Sequence, residues 1–170
     1  MLEVIGKWLA FVMAVFVMQS SFLPIIHYNG VGPDLLLLIL ASYAFFKGSR
    51  MGCFMGFFLG LFQDLATGTF FGVNTFTKMI IGYGCGIFSK RILRDSFILP
   101  VSASIMSTAA AYLISGSIML LLGYKFNILI HVTTHLVPML CYNILLSYPM
   151  HAMVRKMIDD PDENKKRGIL

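Results

Sequence analysis

Residues 33–74 read PDLLLLILASYAFFKGSRMGCFMGFFLGLFQDLATGTFFGVN, and this stretch decides the fold. Pro33 and Asp34 open a solid aliphatic run from Leu35 to Leu40. A carboxylate just ahead of such a run suits a helix N-terminus, whose first N–H groups lack intrahelical partners. The run ends in a short basic turn, Lys47-Gly48-Ser49-Arg50. Beyond the turn, small residues recur at every fourth position, Gly52, Gly56 and Gly60, and the series closes on Asp64. That spacing puts all four on one helical face. Three glycines on a face let another backbone approach closely, so the stripe reads as a packing surface before it reads as a ligand groove.

The rest of the chain agrees with two apolar helices at its centre. Of 170 residues, 58 % are hydrophobic and 12 % charged. Soluble domains carry about 25 % charged residues, so most soluble folds are excluded. Disorder, which needs low hydrophobicity and high charge, is excluded as well. Crossing roughly 30 Å of hydrocarbon takes about 20 helical residues. Six apolar stretches are present, at about 4–23, 31–46, 51–65, 70–88, 97–122 and 127–150. The expected fold is therefore all-α: a polytopic membrane protein with six transmembrane helices. Residues 1–158 form the membrane domain and 159–170 a charged cytoplasmic tail. The second and third stretches are short, which fits little tilt, a locally thin bilayer or a helical hairpin. The first stretch is too long for a cleavable signal peptide. Cys53, Cys85 and Cys141 each sit in an apolar stretch without a CxxC spacing, which argues against a disulfide framework or a structural zinc site.

Basic residues set the orientation. With both termini cytoplasmic, the inner segments carry Lys7, Lys47, Arg50, Lys90, Arg91, Arg94, Arg155, Lys156, Lys165, Lys166 and Arg167. The outer loops carry only Lys125, and Lys78 falls inside the fourth stretch. This is a strong positive-inside bias.

Ionisable groups inside spans are costly and point to function by default. Asp64 lies about 21 Å along its helix from Arg50, in the outer third of the membrane. Lys78 enters from the outside to a similar depth, so the two are expected to pair, either as a structural ion pair or with one of them contacting a ligand or partner. Gln19, Asp34, Asn74, Thr75, His131 and His135 collect at the same outer level, and Pro138 is expected to kink the last span. The inner halves of the spans are nearly free of such groups. This asymmetry predicts a polar cavity facing outward, or a polar seam between helices.

Other chemistry is weakly represented. His27, His131 and His135 include an i, i+4 pair, but no HExxH motif accompanies it, and hydrogen-bonded interior histidines are the preferred reading over a metal site. Gly82, Gly84 and Gly86 lack the dinucleotide fingerprint and are expected to serve close helix packing. The small residues from Ser102 to Ser117 in the fifth stretch read as a further packing surface. No nucleophile stands with a base at motif spacing, and there is no P-loop. No enzyme activity, cofactor, metal or nucleic-acid partner is expected.

The segment 33–74 also resembles the MreD family of rod shape-determining proteins, small bacterial inner-membrane proteins. The resemblance is carried by Pro33, Asp34, Gly52, Gly56, Gly60, Asp64, Gly68, Gly72 and Asn74. Length, Gln19 in the first span and the basic-inside layout fit it too. Lys78, His131 and His135 join these positions as partner or cavity candidates on their own chemistry. The resemblance implies a non-enzymatic scaffold of the cell-elongation complex in the bacterial cytoplasmic membrane, helping to maintain cell shape and organise peptidoglycan synthesis. Its implied partner is an MreC-like single-span protein, within an assembly that includes MreB, the RodA glycosyltransferase and a penicillin-binding transpeptidase. The family's six-helix layout is similar to the substrate-binding subunits of energy-coupling-factor vitamin transporters. The alternative function is accordingly a small-molecule-binding subunit of such a transporter.

Overall fold

The computed structural model describes residues 2–21, 30–68, 71–88, 98–124 and 128–159. His27, Lys90, Arg91, Arg94, Lys125 and the tail from residue 160 onward lie outside the described residues. The described elements are α1 (Leu2–Ser21), α2 (Leu35–Lys47), α3 (Ser49–Thr67), α4 (Val73–Phe88), α5 (Ile98–Leu121), α6 (Ile128–His131) and α7 (Val137–Ile158). A π-helical turn, Val132–Leu136, joins α6 to α7, so the seven helices make six rods. No strand occurs among the described elements.

The pillar of the bundle is α2. A helix that is apolar on every side must be covered on every side, and from Leu35 to Leu40 no side chain of α2 exceeds 2 % exposure. One side of it packs on Val12 and Val15 of α1, Leu59 of α3, and Met150 and Val154 of α7. The other side meets Ile81 and Cys85 of α4 and Leu99, Ala103 and Ala111 of α5. Its 13 residues rise only about 20 Å, less than the roughly 30 Å of a hydrocarbon core. Among the described residues, α5 is the one helix long and apolar enough by itself to cross a membrane. In α3, Gln63, Asp64 and the glycine stripe dilute the apolar run.

A single residue turns α2 into α3. Gly48 has φ 86° and ψ 179°, a conformation essentially restricted to glycine, and its N–H closes α2 on the Ala44 carbonyl. This folds the two helices into a tight hairpin.

The glycine stripe of α3 packs against α4, as its spacing predicts. A Cβ at Gly52 would overlap the Gly82 carbonyl, one at Gly56 the Lys78 carbonyl, and one at Gly60 the backbone of Asn74 and Thr75. Gly82 and Gly86 of α4 return the contact, against Gly52 and Ser49. Gly84 departs from the expectation, because a Cβ there meets nothing within 4 Å. The small residues of α5 also divide. Ala103, Ser104, Ser107, Thr108 and Ala111 are buried, whereas Ser117 is exposed and a Cβ at Gly116 would meet open space. Pro138 acts through the turn ahead of it. It has no N–H to return to Thr134, and the Val137 N–H reaches back five residues to the Val132 carbonyl.

The outside of the bundle is apolar. Phe71, Ile98, Leu121 and Leu145 each expose more than 70 % of their surface. Such a surface suits lipid better than water.

Overpacking against backbone, which cannot move aside, costs about 1–3 kcal/mol. Gly56→Ala is therefore expected to lower the thermal midpoint of the detergent-solubilised protein clearly. Gly84→Ala, in open space, should leave it unchanged or raise it slightly.

Candidate functional site

Two helices begin inside the bundle, and at each start an aspartate satisfies N–H groups that would otherwise be orphaned. At α2 the aspartate is Asp34. Its Oδ1 accepts from the Leu37 N–H at 3.0 Å, and its carbonyl accepts from Leu38. Other rods supply the rest. The Asp34 N–H donates to Asn143 Oδ1 of α7 at 3.0 Å, and the Leu35 N–H donates to Gln19 Oε1 of α1 at 3.0 Å. Asn143 Nδ2 in turn donates to Thr108 Oγ1 of α5 at 2.8 Å. Lys78 of α4 closes the node by donating from Nζ to Asp34 Oδ2 at 2.6 Å. One short helix start thus ties together α1, α2, α4, α5 and α7.

At α4 the aspartate comes from the preceding helix. Asp64 Oδ2 accepts from the N–H groups of Gly72 and Thr75 and from Thr75 Oγ1. Its Oδ1 accepts from the Asn74 N–H and from Asn74 Nδ2. Gly72, with φ 99°, is in the left-handed region that brings its N–H round to the carboxylate. Gly68 ends α3 in a left-handed conformation. The positive end of α4 and five donors hold a carboxylate that is only 1 % exposed.

This geometry corrects the expected Asp64–Lys78 pair. Lys78, 2 % exposed, pairs with Asp34 instead. Depth along the helices put Asp64 and Lys78 at one level, but the N–H groups of Gly72, Asn74 and Thr75 at the start of α4 already occupy the Asp64 carboxylate. Sequence reasoning missed Asn143, which is fully buried and bridges α2 to α5. The available signal was an asparagine in an otherwise apolar span.

Beyond the Asp34 end of the short α2, described residues of the neighbouring rods leave a concavity. A well of about 470 Å³ lies there, lined by Gln19, Ser20, Gly32, Pro33, Asp34, Gln63, Asn74 and Met139. Of the polar residues expected to form a cavity or a seam at one end of the spans, Gln19, Asp34 and Asn74 line it, whereas Thr75, Lys78, His131 and His135 do not. Gln63, absent from that expectation, has a side-chain Oε1 buried without a hydrogen-bond partner. A second concavity of about 540 Å³ runs between α4 and α5, where Phe76, Ile80, Leu113, Ile114, Ser117 and Ile118 make it almost wholly apolar.

The histidines stand apart from the well. The rings of His131 and His135 stack at 4.2 Å, and Tyr112 Oη lies 2.8 Å from His131 Nδ1. Among the described residues no cluster of three or more His, Cys, Asp or Glu could hold a metal. His151, not singled out from the sequence, stacks on Phe46 at 4.9 Å near the Lys47 end of α2.

An all-helical bundle with an apolar exterior, buried ion pairing and a polar well at one end is a helical membrane protein. A family model described as rod shape-determining protein MreD matches residues 3–160, so the chain belongs to the MreD family. No curated protein and no solved structure matches it. The family places it among bacterial membrane proteins that determine rod shape.

Removing one partner of a buried ion pair typically costs about 3–5 kcal/mol. Lys78→Met is expected to destabilise the protein on that scale. Asp34→Asn keeps the cap on Leu37 and should recover part of the loss when combined with Lys78→Met, whereas Asp64→Asn should not. A double-mutant cycle on detergent unfolding midpoints distinguishes the two pairings. Asp64→Ala should likewise be far more damaging than Asp159→Ala, whose side chain is 63 % exposed beside Arg155. Limited proteolysis of the α3–α4 loop would report the difference.

Proposed function

We propose that this chain is a non-enzymatic scaffold of the cell-elongation complex, and that the well beyond Asp34 receives the outer juxtamembrane segment of an MreC-like single-span partner. The family determines rod shape and belongs to the rod-shape complex with MreC and MreB in general. RodA and the penicillin-binding transpeptidase are then reached directly or through that partner. No nucleic acid or cofactor takes part, and the remaining surface serves the lipid bilayer.

The observation that carries the reading is the position of the well. It opens at the end of α2 opposite Lys47, Arg50 and Arg155, the basic end. Positive charge favours the cytoplasmic side, which supports an outward-facing well. The layout belonging to this proposal has six spans, akin to energy-coupling-factor substrate-binding subunits, with both termini cytoplasmic in the bacterial inner membrane. The assigned site is Asp34, Asp64, Asn74 and Lys78 as its framework, with Pro33 at the rim. Gly52, Gly56, Gly60, Gly68 and Gly72 shape the α3–α4 hairpin that forms one wall. His131 and His135 lie on a separate part of the outer half. Membership of a shape-determining family supports the scaffold over a vitamin-transporter subunit.

Affinity purification from the native host in mild detergent tests the proposal, with mass spectrometry of proteins and small molecules together. The expected result is a single-span protein with a large outer domain in near-equal amount. That amount should fall when Asn74 is replaced by Trp to fill the well. An energising ATPase module or a retained vitamin would overturn the proposal.

A further inference from the structure

The proposed docking role leaves open which chemistry the well selects, and its walls bear on that question. Gln63 Oε1 is buried with no donor, a situation that costs a polar atom its water without replacement. Asn74, which lines the well, spends one amide N–H on Asp64 and has its carbonyl oxygen left to accept. Gln19 has committed its oxygen to the Leu35 N–H and offers an amide nitrogen. The charges near the well do not cancel. Asp34 and Lys78 neutralise each other, whereas the donors on Asp64 are Gly72, Asn74 and Thr75, all neutral. Among the described residues, two carboxylates against one ammonium leave one formal negative charge, and the start of α4 offsets only part of it. The low-dielectric surroundings screen the remainder weakly.

We infer that Gln63 is the selectivity determinant of the well, and that it accepts a hydrogen bond from a cationic side chain, arginine or lysine, presented by the docking segment. This rests on the docking role proposed above. The inserted cation satisfies Gln63 Oε1, meets the Asn74 carbonyl oxygen and balances the charge of Asp64. An acidic segment would face the same charge and an acceptor that gives it nothing, so it is excluded.

The test uses the full-length chain in nanodiscs, with the partner co-expressed from the same host, and measures partner affinity for wild type, Gln63→Leu and Gln63→Glu. Gln63→Leu should weaken binding about tenfold, the loss expected for a charge-assisted hydrogen bond. Gln63→Glu keeps the acceptor and adds charge, so it should bind as tightly as wild type or more tightly. The advantage of Gln63→Glu should shrink as salt is raised. Equal weakening by both variants would mean that Gln63 donates instead, and would overturn the inference. No effect from either would show that Gln63 is idle and would overturn it as well. The free chain should be no less stable with Gln63→Leu, which removes the unmet acceptor, and a cooperative melt of each free variant confirms that folding is intact.

Should the partner fail to bind wild type, the docking role falls, and the inference is read on the chain alone. Arginine methyl ester should then raise the thermal midpoint of wild type and Gln63→Glu but not of Gln63→Leu, and acetate should raise none of them. Absence of that pattern would overturn the inference independently of any partner.

Discussion

Helices that begin inside an apolar bundle create a demand that local capping meets only in part. Their first N–H groups have no intrahelical acceptor, and lipid offers none. Among the described residues there are two such starts, and the bundle is arranged around answering them. Asp34 and Asn143 answer at α2, together with Gln19. Asp64 answers at α4. Each answer reaches across elements, so satisfying a helix start also fixes how the rods sit against one another.

The short pillar follows from the same constraint. An α2 long enough to cross the full membrane would have its start near the outer surface, where water could satisfy it. At 13 residues it stops short, its start must be satisfied by protein, and the volume beyond becomes the well. Structural polarity and candidate function therefore share one origin. The residues that hold the bundle together, Asp34 and Asn74, are also residues that line the well. Gln63, which also lines the well, keeps a buried side-chain oxygen unsatisfied once the helix starts are served.

The α3–α4 hairpin shows how close packing supports this arrangement. Glycines on facing helices bring the two backbones together, and that proximity is what lets Asp64 near the end of α3 reach Gly72, Asn74 and Thr75 at the start of α4. A wider hairpin would separate the carboxylate from its donors. Dispersion between close backbones and charge-assisted hydrogen bonds thus reinforce each other.

Composition and pattern by themselves determined the class. Apolar stretches, few charges and an asymmetric distribution of lysine and arginine indicate a helical membrane protein. The four-residue repeat from Gly52 to Asp64 indicates a tightly packed face, because helical periodicity is a local property of the backbone. The segment 33–74 was specific enough to point to the family, and Pro33-Asp34 was legible as a helix start. Tertiary structure alone decided the partners of the buried charges. Lys78 is 44 residues from Asp34 and 14 from Asp64, and depth along the helices allowed either pairing. The choice depended on the first residues of α4 donating to Asp64, which leaves Lys78 to Asp34. Gly84 and Gly116 failed to pack for a related reason: a small residue records that close approach is possible, and only the placement of the neighbouring rod decides whether it happens. Gln63 stood out only once its neighbours were in place, since a glutamine acquires an unmet acceptor when the chain around it has closed.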